Sequence, residues 1–193
     1  MMEDPREFIC QVDAQNRILF ANQNWFAFAR ENGATNLAPT DVIGQVIWGF
    51  PCNSETRHPF EILLQKVRAT GVTAGLPFRC DAPDRRRFME LQILLRQNQE
   101  LEFRSRILRQ ELRDSVRLME PDVERTNTLL VMCGWCKQVQ LPDECWVEVE
   151  AAIKALRLFS APRLPRISHG ICQLCVAAFN QVLAQNVPAI ARR

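Results

Sequence analysis

The chain has 193 residues, 47% hydrophobic and 24% charged, the balance of an ordinary globular protein with enough apolar surface to bury a core in one large or two small domains. Its formal net charge of +2, from 24 Lys+Arg against 22 Asp+Glu, supplies no basic field that would argue for nucleic acid or an anionic membrane. No apolar run reaches the roughly 18–20 residues that span a bilayer, and the polar start from Met1 to Arg6 lacks the basic and apolar segments of a secretory leader. The expected compartment is therefore the cytoplasm, where thiols stay reduced, so the eight cysteines read as metal ligands and small core residues instead of disulfides.

Residues 7–13 alternate in part and predict a strand, followed by turn residues from Asp13 to Arg17 and a second strand opening at Ile18, Leu19 and Phe20. Asn22 is placed to cap a helix from Gln23 to about Asn32, with Trp25, Phe26, Phe28 and Ala29 on its apolar face and Gly33 as its stop. Residues 34–57 are broken by Pro39, Gly44, Gly49 and Pro51, with room for a short helix beginning at Thr40 or Asp41. Pro59 to Thr70 predicts a helix, since Phe60, Leu63, Leu64 and Val67 recur at i, i+3, i+4, i+7 and Gly71 follows. Three strands come next: Leu76–Cys80, Phe88–Leu95 and Glu100–Leu108. In the last, Leu101, Phe103, Ser105 and Ile107 share one face and Glu102, Arg104 and Arg106 the other. A turn at Gln97-Asn98-Gln99 joins the second and third.

The stretch Asp13-Ala-Gln-Asn-Arg-Ile-Leu-Phe-Ala-Asn22, the helix carrying Trp25, the step Asp41-Val-Ile-Gly44, a further helix and a long final hairpin together resemble a PAS domain, over residues 5–113. The resemblance implies an α+β fold, a five-stranded antiparallel sheet with helices over one face. It also implies a role in sensing a small molecule, light or redox state, or in pairing with another protein, including a second copy. The cysteine signature of flavin-binding light sensors is missing.

Residues 114–128, with Pro121 among Asp, Glu and Arg, read as a linker to a second unit, a small α+β metal-binding module at 129–185. Within that unit the pattern predicts short strands at Leu129–Met132 and Lys137–Leu141, a further element starting at Trp146, an amphipathic helix over Glu148–Leu158, a rigid loop at Pro162 and Pro165, and a last helix from about Gln173 to Gln185. Residues 132–176 resemble a cysteine-rich C-terminal extension of bacterial PAS and response-regulator proteins, in the pattern C-x-W-C-K, a W-V-x-x-E helix and H-G-I-C-x-x-C. That resemblance implies a bacterial signalling protein and leaves the role of the extension open.

The chemistry of this unit lies in Cys133-Gly-Trp-Cys136 and Cys172-Gln-Leu-Cys175. A C-x-x-C turn sets two sulfurs on one side of a tight loop, and two such turns supply four thiolates to one tetrahedral ion. A unit of about 60 residues is marginal on its hydrophobic core alone, and a structural metal contributes directly to its folding. Zinc is the expected ion; an iron–sulfur cluster takes the same ligands and stays open as the alternative. His169, three residues before Cys172, is placed either to ligate or to hydrogen-bond a ligand sulfur.

Other candidates have plainer readings. Cys10 and Cys80 fall in strands, Cys52 in an irregular loop, and Cys145 beside Trp146 reads as a spectator. His58 fits a helix start better than a haem ligand. Arg85-Arg86-Arg87 reads as a solvated turn. Trp25, Phe26, Phe28, Trp48 and Phe50 form a core set, of which Trp25, Phe28, Trp48 and Phe50 can also line a ligand cavity under the sheet. No nucleophile, phosphate-loop or kinase motif is present, so a non-enzymatic sensor or regulator is expected. A redox or oxygen sensor built on the four cysteines is the alternative. A nucleic-acid-binding regulator is a second, though residues 129–180 lack a dense basic face.

Overall fold

A computed structural model describes residues 4–49 and 54–185. Nine strands and five α-helices within that range form two sheets. The first contains β1 (Asp4–Val12), β2 (Ile18–Ala21), β3 (Ala74–Arg79), β4 (Arg85–Leu95) and β5 (Leu101–Leu112), in the order β2-β1-β5-β4-β3. All its pairings are antiparallel. The sheet is thus five-stranded and antiparallel, as expected.

Local chemistry explains its joints. The Asp13 carboxylate accepts the main-chain N–H groups of Gln15 and Arg17, both at 2.8 Å, and closes the β1–β2 turn around Asn16 at φ 62°. Asn22 caps α1 (Gln23–Glu31) by accepting the Trp25 N–H at 2.9 Å, accepts the Ile9 N–H at 3.2 Å and donates to the Glu7 carbonyl, tying the helix start to β1. After the short α2 (Pro39–Val42), Gly44 takes φ 85°, and its N–H reaches the Ile18 carbonyl at 2.7 Å. The helix expected from Pro59 is longer: α3 runs Ser54–Thr70, with Pro59 inside it.

Alternation along β1, β4 and β5 turns Cys10, Val12, Leu91, Ile93 and Leu101 to one face, where Phe26 of α1, Val42 of α2 and Leu63, Leu64 and Val67 of α3 cover them. A smaller cluster of Phe8, Met89 and Ile107 continues that layer toward Trp25 and Phe28. The opposite face is polar. Near the start of the middle strand β5, Glu102, only 4% exposed, accepts from Gln11 at 2.7 Å, Arg96 at 2.7 Å and Arg104 at 2.5 Å.

The second sheet has the order β8-β7-β6-β9, from β6 (Arg125–Cys133), β7 (Val139–Gln140), β8 (Trp146–Val147) and β9 (Leu164–Gly170). Helix α4 (Val149–Ala155) and helix α5 (Gln173–Gln185) complete the chain. The last helix stands where the sequence puts it. β9 does not: it runs parallel to β6 and includes Pro165, placed by the sequence reading in a rigid loop. The parallel pairing is possible because β7, β8 and α4 form the crossover between the two strands. The presumed linker at 114–128 is structured as well. Val116 and Leu118 are buried with Leu130, Met132, Val139, Ile153 and Leu164 in a second core, and β6 begins at Arg125.

Candidate metal centre

β6 and β9 end side by side, and each delivers a cysteine pair. Cys133 closes β6; its N–H donates to the Gln138 carbonyl at 2.7 Å, and its own carbonyl accepts the Lys137 N–H at 3.1 Å. Lys137 takes φ 63°, the left-handed step that turns the chain back, and its ammonium holds the Gly134 carbonyl at 2.7 Å. The Gly134 N–H reaches the Gly170 carbonyl on β9 at 2.9 Å, which locks the first turn to the second. Cys172 lies immediately before α5 and Cys175 within its first turn.

The sulfurs of Cys133, Cys136, Cys172 and Cys175 all lie within 4.8 Å of one another, and Cys136 and Cys172 approach to 3.6 Å. Four thiolates at about 2.3 Å from one tetrahedral ion stand about 3.8 Å apart. Ligands of a multi-iron cluster bind different irons and are spread further. Disulfide bonding is not present: all four cysteines are free. Cys133 and Cys172 are buried, and the Cys172 N–H points at the Cys133 sulfur at 3.5 Å. Hydrogen bonds from the thiols of Cys136 and Cys175 hold Cys133 well below the ordinary thiol value, and the same donation pushes Cys136 up to about 12. A divalent ion held by the four sulfurs would displace their thiol protons. The donor set fits a single four-sulfur metal ion.

His169 is not part of this group. It lies on β9 opposite Met132 with its side chain exposed. Cys10 is buried in β1 and its thiol is raised to about 12 by that burial. Cys80 follows β3, and Cys145 is exposed. Cys52 and Phe50 lie outside the described residues. Trp25, Phe28 and Trp48 are half-buried and pack on the core, Phe28 against Phe8 at 4.6 Å and Trp48 against Phe60 at 6.0 Å. Cavities of about 230 and 430 Å³ lie on the second sheet's side, the first between residues 114–118 and α4, the second beside β6 and Pro142.

The two sheets meet through ion pairs between residues far apart in the chain. Arg79, at the end of β3, sends both Asp81 hydrogen bonds from one side of its guanidinium and grips Glu148 at 2.8 and 2.9 Å with the other. Arg86 and Arg113 both reach Glu150, at 2.8 and 3.0 Å. The basic run at 85–87 is therefore not a solvated turn. All three residues belong to β4, Arg87 is buried, and Arg86 binds across the junction because Glu148 and Glu150 flank the start of α4.

No family model and no curated protein matches the chain. Among the described residues, no helix is long and apolar enough to cross a membrane.

Proposed function

We propose that this is a cytoplasmic bacterial signalling protein in which a PAS-type sensing or interaction domain is joined to a unit fastened by one structural zinc ion. The observation that carries the reading is the four-sulfur group at the junction of the two sheets, with spacing that suits one tetrahedral ion. The five-stranded antiparallel sheet with helices over one face supports the PAS half. The zinc is structural in this reading because four protein ligands leave no open position for a substrate or water. The activity is regulatory and non-enzymatic. A ligand or protein partner, a second copy included, biases the arrangement of the two sheets.

Elemental analysis of the purified protein, taken with its visible spectrum, tests the metal assignment. One zinc per chain and no visible absorption is the expected result. Iron with a visible band would replace zinc by an iron–sulfur centre and the role by redox or oxygen sensing. Absence of any bound metal would overturn the proposal.

A further inference from the structure

Trp135 of the first cysteine turn and Phe179 of the helix that follows the second pack in the first core and take no part in the second. Trp135 lies between Cys133 and Cys136, yet it packs 5.9 Å from Phe60 of α3 and 5.5 Å from Phe179 of α5. Phe60 continues the contact, stacking on Phe103 of β5 at 6.0 Å and meeting Trp48 at 6.0 Å. Phe179 stands four residues after Cys175, hence on the same face of α5, and is 3% exposed within the first core. The main chain makes the same connection. The Arg79 N–H donates to the Trp135 carbonyl at 2.7 Å, so the first cysteine turn caps the last residue of β3, the open edge of the five-stranded sheet.

A metal held by both pairs therefore fixes two side chains that are structural parts of the other domain. We infer that the five-stranded domain reads the metal state of the four-cysteine centre through Trp135, a positioning residue that holds α3 and the β3 edge in place only while the two pairs are drawn together. This rests on the four-cysteine group being a metal site. The device makes metal loss an input to the sensing domain. The information passes through packing and needs no ligand in the domain itself. Both cysteine pairs must be joined for it to work, since Trp135 comes from one and its partner Phe179 from the other.

The test is amide hydrogen exchange of the full chain, zinc-loaded and after chelation with EDTA, with zinc content measured in parallel. In the unaltered protein, chelation should speed exchange in residues 60–67 and 74–79 by about tenfold or more, while Phe8–Val12 of β1 changes little. Trp135→Ala should show the fast exchange with its zinc still bound, and Trp135→Phe should restore the dependence on zinc. The unaltered protein decides the matter alone if the alanine variant does not fold. Zinc loss without a change in those segments overturns the inference and leaves the metal assignment standing. Equal acceleration in β1 also overturns it, because the metal would then hold the whole fold without a local readout. A protein that never contained metal overturns both.

Discussion

Replacing Arg79 with Met tests whether the junction between the sheets is a structural element or incidental contact. Arg79 is 8% exposed, and its guanidinium is shared between Asp81 and Glu148. The two carboxylates differ sharply. The Asp81 side chain is fully buried, whereas that of Glu148 is 40% exposed. Without Arg79, Asp81 keeps the Arg87 N–H at 3.3 Å, Arg113 at 3.7 Å and the field of the buried Lys137 ammonium, none of them a close ion pair. Removing one partner of a buried pair costs about 3–5 kcal/mol, while the exposed Glu148 adds less than about 1 kcal/mol. The expected loss is therefore about 4 kcal/mol, read as a lowered midpoint in urea unfolding with zinc kept saturating. Arg79→Met with Asp81→Asn should cost clearly less than the two single changes summed, since the orphaned charge is gone. A single-variant loss under about 1 kcal/mol would refute the reasoning, as would strict additivity in the double variant.

Three further outcomes are expected. Cys136→Ser should cut zinc content well below one per chain, while Cys145→Ser, altering an exposed thiol outside the group, leaves it unchanged by elemental analysis. Burial of Glu102 opposes its ionisation, but hydrogen bonds from Arg96, Arg104 and Gln11 outweigh it and hold the carboxyl at about 2. Its folded value lies below its unfolded one, so its contribution is complete above about pH 5 and is lost as pH falls from there toward 2. After solvent screening of its half-exposed partners that contribution is about 1–2 kcal/mol, and Glu102→Gln should flatten this part of the acid limb in pH-dependent unfolding. Residues 1–113 expressed alone should bind a hydrophobic dye that the full chain does not, because Trp135, Phe179, Val182 and Leu183 all pack on the first core from outside that span.

The elements that were legible in the sequence are those with a local signal. Period two in Leu101, Phe103 and Ile107 marks β5, the Asn22 cap marks α1, and the two C-x-x-C turns mark the residues that meet at the sulfur group. β9 has no such signal. Its residues Leu-Pro-Arg-Ile-Ser-His-Gly mix a proline with polar groups, and its pairing partner β6 lies across a long crossover. Glu102 falls on the polar face by alternation, as expected, but is buried because arginines from its own strand and the preceding turn close over it. Arg79 and Glu148 are 69 residues apart, and ion pairs carry no periodicity that would announce them. Likewise nothing in C-G-W-C says which of two cores its tryptophan enters.

The second unit does not keep all of its residues in its own core. Its own core ends with Leu130, Met132, Val139, Ile153 and Leu164, all before the second cysteine pair. Past Cys172 the chain leaves that core. The buried face of α5 centres on Phe179, which belongs to the first core with Val182 and Leu183 beside it, and the Leu183 carbonyl accepts from Lys66 of α3 at 2.5 Å. The cysteine group thus sits where the chain passes from one core to the other. A zinc ion placed inside a single core would stabilise only that core. Here the cysteines come in pairs from the end of β6 and from the start of α5, so an ion that drew them together would also tie α5, and Phe179 with it, to the end of β6. A metal ion bound there would couple its own binding to domain docking, each stabilising the other by the same free energy.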